Sequence, residues 1–225
     1  MKYEPYEYQS YASRFILEHP YCGLILDMGL GKTLQATALM LDEKRSKGGR
    51  SLVVCPASLV LNWQGEIEKF APELRVLAVM GTASERTAQF AEMEKYDVVI
   101  TSYSLIARDF AEYQEHEFCY EFLDEAQYIK NSSTQTAKAV KSVNSRCRFA
   151  LTGTPVETWY IRSEMPILRC LCRTASQDYV VLFCFFGVRL IRICKIIYIN
   201  TIILGIPNRF ISSATIMLNI AYNEV

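Results

Sequence analysis

Short apolar runs alternate along this chain with stretches that carry helix signals. The runs at 23–27, 51–55, 75–80, 97–101, 120–123 and 148–151 are largely aliphatic or aromatic, the pattern of strands buried on both faces. Between them, 33–47 is rich in Leu, Ala, Met and Gln, ends on Lys44, Arg45 and Lys47, and is closed by Gly48-Gly49. That composition predicts a helix whose basic last turn suits the helix dipole and whose glycines supply the C-cap. Residues 61–70 and 83–95 read as helices too. Strands alternating with helices imply right-handed crossovers, hence a parallel sheet with helices on both faces. No internal repeat, low-complexity linker or heptad pattern breaks the order.

Beyond Glu157 the pattern dissolves. Residues 158–225 hold 13 isoleucines and four of the eight cysteines, few acids, and no clear period of 2 or 3.6. The expectation is an irregular apolar tail with the composition of out-of-frame translation. Its apolar runs, 179–188 and 196–206, are separated by Arg189, Arg192 and Lys195, and neither reaches the roughly 18 residues that span a bilayer. A membrane anchor is therefore not expected, and the exposed apolar surface is an aggregation liability.

With 225 residues, 51% of them hydrophobic, the chain can bury one good core and a small appendage. Formal charge is zero overall, but residues 1–157 carry 17 basic and 21 acidic side chains and 158–225 carry 7 and 3, giving −4 and +4. Neither value is the strongly basic balance of a domain that holds nucleic acid by bulk charge, so any such contact must come from a local groove. The N-terminal MKYEPYEYQ carries acids and no apolar leader, which points to a cytoplasmic location. No Cys-x-x-Cys pair or histidine cluster suggests zinc, and in a reducing compartment the cysteines should be free thiols.

Chemistry begins at Leu26-Asp27-Met28-Gly29-Leu30-Gly31-Lys32-Thr33, between a predicted strand and a predicted helix. Glycines at 29 and 31 let backbone amides approach phosphate oxygens, and the helix N-terminus adds partial positive charge. Lys32 suits the β- and γ-phosphates, and the Thr33 hydroxyl suits Mg²⁺. The full phosphate-loop pattern wants glycine where this chain has Leu26. Farther on, Phe122-Leu123-Asp124-Glu125-Ala126-Gln127 places two carboxylates directly after an apolar strand, at the edge of a parallel sheet where ligands sit. Asp124 suits Mg²⁺ held through water, and Glu125 suits orienting and deprotonating the attacking water. A solvated turn would look the same if it stood alone.

The set Asp27-Met28-Gly29-Leu30-Gly31-Lys32-Thr33, Asp124-Glu125-Ala126-Gln127 with Ile129-Lys130-Asn131, and Leu151-Thr152-Gly153-Thr154-Pro155 resembles helicase motifs I, II and III of the SNF2 family within superfamily 2. Val54-Cys55-Pro56-Ala57-Ser58-Leu59-Val60-Leu61-Asn62-Trp63 resembles motif Ia, and Ile100-Thr101-Ser102-Tyr103 resembles motif Ib. The resemblance spans about residues 4 to 157 and implies the first, RecA-like P-loop NTPase lobe of an ATP-dependent motor that translocates on double-stranded DNA, of bacterial or phage type. It further implies that Gln9 reads the adenine edge, that Ser58, Trp63, Thr101 and Ser102 face the DNA backbone, and that Thr152, Gly153 and Thr154 couple the nucleotide pocket to the DNA groove. Lys32, Asp124, Glu125 and Gln127 become the catalytic set, with Gln9, Gly29, Leu30, Gly31, Lys32 and Thr33 holding ATP and with Thr33 and Asp124 holding Mg²⁺. Local chemistry leaves simpler readings open: Trp63 and Tyr103 as core aromatics, Ser58, Thr101 and Ser102 as strand-end caps, the Thr-Gly-Thr-Pro segment as a turn. The family continues after motif III with an Asn and a Leu-rich helix, whereas Thr158-Trp159-Tyr160-Ile161 follows here. The expected division is a lobe at 1–157 and an atypical tail at 158–225, without the second lobe whose arginines complete the ATP site. Two other readings stand beside it: another superfamily 2 motor, such as a restriction-type helicase, and an inactive nucleotide- or DNA-binding fragment of a broken gene.

Overall fold

The aliphatic runs pair edge to edge into one sheet. In this computed structural model, residues 31–151 are described with their side chains, along with Ser13 and the backbone of 21–26, Thr152, 180–184 and 192–194. The strands among them are β1 (Tyr21–Leu26), β2 (Ser51–Cys55), β3 (Val76–Ala78), β4 (Val98–Ser102), β5 (Phe118–Asp124), β6 (Ser145–Thr152), β7 (Val180–Cys184) and β8 (Arg192–Cys194). Their order across the sheet is β3-β4-β2-β5-β6-β1-β7-β8. Every pairing is parallel except the last, β7 with β8. The α-helices are α1 (Lys32–Lys47), α2 (Val60–Phe70), α3 (Ala83–Ala91), α4 (Tyr103–Arg108), α5 (Phe110–Gln114) and α6 (Gln135–Ser142).

Burial explains the strand composition. Every residue of β2 and β4 is buried, and alternate side chains enter separate clusters on opposite faces. Val53, Cys55, Val98, Ile100 and Phe122 pack with Leu39 and Met40 of α1 and with Trp63 and Ile67 of α2. Leu52, Val54, Val99 and Leu123 pack with Tyr103 and Ile106 of α4, Tyr113 of α5, and Ala137 and Val140 of α6. With apolar partners on both faces, a strand has no polar face to alternate.

The expected α/β architecture holds, with differences at the element ends. β5 and β6 begin earlier than predicted: β5 takes in Phe118 and Cys119, which directly follow the polar stretch 114–117, and β6 takes in Ser145, Arg146 and Cys147, whose polar members break the apolar pattern, while Glu121 and Arg148 face each other in register. α4, α5 and α6 were not expected; each is eight residues or fewer, too short for a helical period to stand out. Residues 83–95 divide into α3 and a separate 3₁₀ turn at Met93–Lys95. Within the apolar tail, Val180–Cys184 runs parallel to β1 from Cys22 to Leu26, and Arg192–Cys194 turns back along it. Among the described residues no helix is long and apolar enough to cross a membrane.

Candidate active site

The register sets both halves of the site on one sheet edge. Asp124, the last residue of β5, pairs with Leu151 of β6, and Leu151 pairs with Leu24 of β1. β1 runs two residues farther to Leu26, where the glycine-rich segment begins. Asp27, Met28, Gly29 and Leu30 lie outside the described residues, as do Gln9, Gly153 and Thr154. Thr152 is described by its backbone, paired with Ile25, so β6 ends between the two halves.

Gly31 closes the loop in the left-handed conformation, at φ 78° and ψ 38°, and accepts the Gln35 amide at 3.0 Å as N-cap of α1. A β-carbon there would be strained. Among the described residues no side chain caps this helix, and its first turn holds no acid, so its positive dipole end favours an anion. Lys32 and Thr33 open the helix, and Thr33 is fixed from behind by the Thr37 hydroxyl, which donates to its carbonyl at 2.7 Å. Gln35, not singled out in the sequence, is 2% exposed, and neither its Nε2 nor its Oε1 has a hydrogen-bond partner among the described residues.

Asp124 is buried, and each carboxylate oxygen accepts one N–H among the described residues. Trp63 Nε1 donates to Oδ2 at 2.8 Å, and the Glu125 amide donates to Oδ1 at 3.0 Å. Burial raises the Asp124 pKa, and Glu125 adds to the effect, while the Trp63 bond and the charge of Lys32 oppose it. With one N–H on each oxygen among the described residues, the carboxylate keeps lone pairs on both. A buried carboxylate with open lone pairs is an oxygen donor suited to a hard divalent cation, so the residues present fit Mg²⁺.

Glu125 sits at φ 51° and ψ 52°, the only non-glycine residue with positive φ among those described. Such a conformation is costly for a residue with a β-carbon and concentrates at functional turns. Gln127 Nε2 donates to Glu125 Oε2 at 2.5 Å, holding the second carboxylate beside the first.

The residues expected on the DNA face separate. Ser58 is exposed on the 3₁₀ turn Ala57–Leu59 that follows β2. Trp63, Thr101 and Ser102 are buried, at 1%, 0% and 2% exposure, so their side chains do not present themselves to a DNA backbone. Trp63 turns inward to Asp124 instead. Ser102 caps α4, accepting the Leu105 amide at 3.3 Å and bonding Ser104 at 3.0 Å. Tyr103 donates its hydroxyl to the Asp124 carbonyl at 2.8 Å. Burial, reinforced by the Asp124 carboxylate, holds that hydroxyl well above its usual pKa, so it remains a donor. For the same two reasons the Cys55 thiol at the end of β2 is pushed up to about 12 and stays protonated.

A family model described as the SNF2-related domain matches residues 8–174. The chain belongs to the SNF2-related domain family. The match runs past Glu157, the end of the recognisable motifs. Relatives of this SNF2-related domain include the chromatin-remodeling ATPase INO80 of Sclerotinia sclerotiorum, 41% identical over 148 residues, covering 60% of this chain and 9% of the relative. An uncharacterised ATP-dependent helicase of Mycoplasma genitalium is 37% identical over 147 residues, covering 64% of this chain and 14% of the relative. The SWI2/SNF2 ATPase core of Sulfolobus solfataricus in complex with double-stranded DNA superposes with a TM-score of 0.68 at 37% identity, covering 77% of this chain and 36% of that one. The chain therefore corresponds to a small part of its curated relatives and about a third of that ATPase core.

Proposed function

We propose that this SNF2-related domain binds Mg²⁺-ATP at the edge formed by β1, β6 and β5 and serves as the first lobe of a double-stranded DNA translocase. The register Leu24–Leu151–Asp124 carries the reading, because it sets the buried metal-seeking carboxylate level with the strand that leads into the glycine-rich loop. The amides of residues 29–31 and the Lys32 ammonium bind the phosphate oxygens, and Gln9 meets the adenine edge. Thr33 and Asp124 would hold Mg²⁺, which would supply charge neutralisation on the phosphates. Glu125 orients the attacking water and accepts its proton, and Gln127 keeps that carboxylate aimed. Thr152, which ends the strand between the two halves, passes nucleotide occupancy together with Gly153 and Thr154 to the DNA groove, where Ser58 meets a phosphate oxygen. The Sulfolobus core, similar over three quarters of this chain and bound to duplex DNA, supports that partner.

Binding of a fluorescent ATP analogue tests the reading. Lys32→Ala should abolish it, since the ammonium and the loop amides act on the same oxygens; affinity equal to wild type would sink the phosphate-loop assignment. These 225 residues correspond to 36% of the Sulfolobus ATPase core, so turnover by them alone should be slow with or without DNA. By the family resemblance, arginines from a second lobe complete the site, and such arginines contribute about 10³ to 10⁵ in rate, roughly 4 to 7 kcal/mol. Turnover that DNA raises tenfold and that Glu125→Gln removes would overturn this account.

A further inference from the structure

Asp124 is gripped at both ends by aromatic residues that come from different strand-to-helix connections. Trp63, on the buried stripe Val60, Trp63 and Ile67 of α2, reaches its carboxylate. Tyr103, the first residue of α4, reaches its main-chain carbonyl. In the strand order β4-β2-β5, the tyrosine crosses over the end of β2 to do so. Its ring stacks at 5.3 Å and 0° on Tyr128, which is 61% exposed.

We propose that Trp63 and Tyr103 are positioning residues for the metal: together they lock the Asp124 carboxylate in its metal-binding orientation. The inference rests on the reading of the site given above. An indole N–H is donor only and carries no charge. It therefore fixes one oxygen without neutralising it, whereas a lysine or arginine at the same place would compete with the cation. With Oδ2 on Trp63 and Oδ1 on the Glu125 amide, the carboxylate plane is set before any ligand arrives. Tyr103 fixes the backbone from which that side chain hangs. Groups that orient a metal ligand in this way typically change metal affinity by about 10- to 100-fold when removed.

The full chain should be titrated with the fluorescent ATP analogue in Mg²⁺ and in EDTA, comparing wild type with Trp63→Phe and Tyr103→Phe. Tyr103→Phe keeps its ring and loses one donor; Trp63→Phe keeps an aromatic ring in the core, loses the indole N–H and gives up part of the indole volume, which is why its affinity is read in both Mg²⁺ and EDTA. Affinity in Mg²⁺ should fall about tenfold in Trp63→Phe, with a smaller fall in Tyr103→Phe, while affinity in EDTA stays at the wild-type value. Equal losses in both conditions would show a merely structural role, and no loss in either would show no role; both overturn the inference. A second measurement does not depend on how well these variants fold. The chain has two tryptophans, so in a Trp159→Phe background the emission is that of Trp63. Adding Mg²⁺ to the nucleotide complex should shift that emission, and Asp124→Asn should remove the shift. Emission indifferent to Mg²⁺ overturns the inference. Wild-type binding that does not need Lys32 would sink the site itself, whereas Lys32-dependent binding with unmoved Mg²⁺ dependence would sink only the positioning role.

Discussion

Glu121 and Arg148 face each other on β5 and β6 with 0% exposure on either side, and Arg148 Nε donates to Glu121 Oε2 at 2.7 Å. Ser145 donates to the same oxygen at 2.7 Å. Arg148 Nη2 also donates to the carbonyls of Val140 at 3.2 Å, Lys141 at 3.3 Å and Val143 at 3.3 Å, closing the C-terminus of α6. One guanidinium thus ties the strand that ends in Asp124 to the helix that precedes β6. Removing one partner of a buried pair strands the other charge, so Glu121→Gln should lower stability by about 3–5 kcal/mol in urea denaturation. A loss within the scatter of a surface substitution would show that the pair is not buried as described. In sequence, Glu121 lies inside the run 120–123 and Arg148 opens the run 148–151, and the pattern carries no information on which strand lies alongside. Trp63 was legible only as either a DNA contact or a core aromatic, and its position at 1% exposure with the N–H on Asp124 makes it a core residue with a polar task.

Among the elements, those with strong local signals were readable. α1 ends at Gly48 with φ 71°, its basic Lys44, Arg45 and Lys47 in the last turn, as its composition implied. α3 starts with a capping box between Thr82 and Glu85, and α6 with Thr134 accepting the Ala137 amide, but α6 spans eight residues, too few for its helical period to stand out in the sequence. Ser102 shows the converse: a hydroxyl at a strand end reads equally as a phosphate contact and as a cap, and here it accepts the Leu105 amide of its own helix. At the opposite edge of the sheet, Asp97 joins α1 to the approach of β3 through Lys44 at 2.8 Å and Arg75 at 3.1 Å. Burial works against its charge, but hydrogen bonds from Arg75 and Lys44 prevail and lower its pKa from 3.8 to about 2. Because the folded pKa is depressed, the stabilisation, about 2 kcal/mol, is present above about pH 4 and is lost as pH falls through 2. Urea midpoints of wild type and Asp97→Asn should therefore differ at pH 5 and converge toward pH 2. A gap that stays constant over that range would contradict the ion-pair assignment.

At the scale of the whole molecule, one parallel sheet separates two apolar clusters, and its C-terminal edge gathers residues from β1, β2, β4, β5 and β6. The composition change after Glu157 leads us to propose that residues 1–157 are the ordered unit, although β7 lies along β1. Limited proteolysis should then leave a resistant core that contains 31–151 and is cut beyond Glu157. A resistant fragment that keeps residues through 225 would place the boundary elsewhere. Sequence alone determined the strand runs, the order of motifs and the family, because phosphate chemistry needs contiguous residues such as Gly29-Leu30-Gly31-Lys32-Thr33 and doubly buried strands need unbroken apolar runs. Only the tertiary structure decided that Trp63 and Tyr103 serve Asp124, from 61 and 21 residues away. Those bonds follow from the order β4-β2-β5, and strand order is set by how helices pack over the whole sheet, which no local pattern of hydrophobic and polar residues encodes.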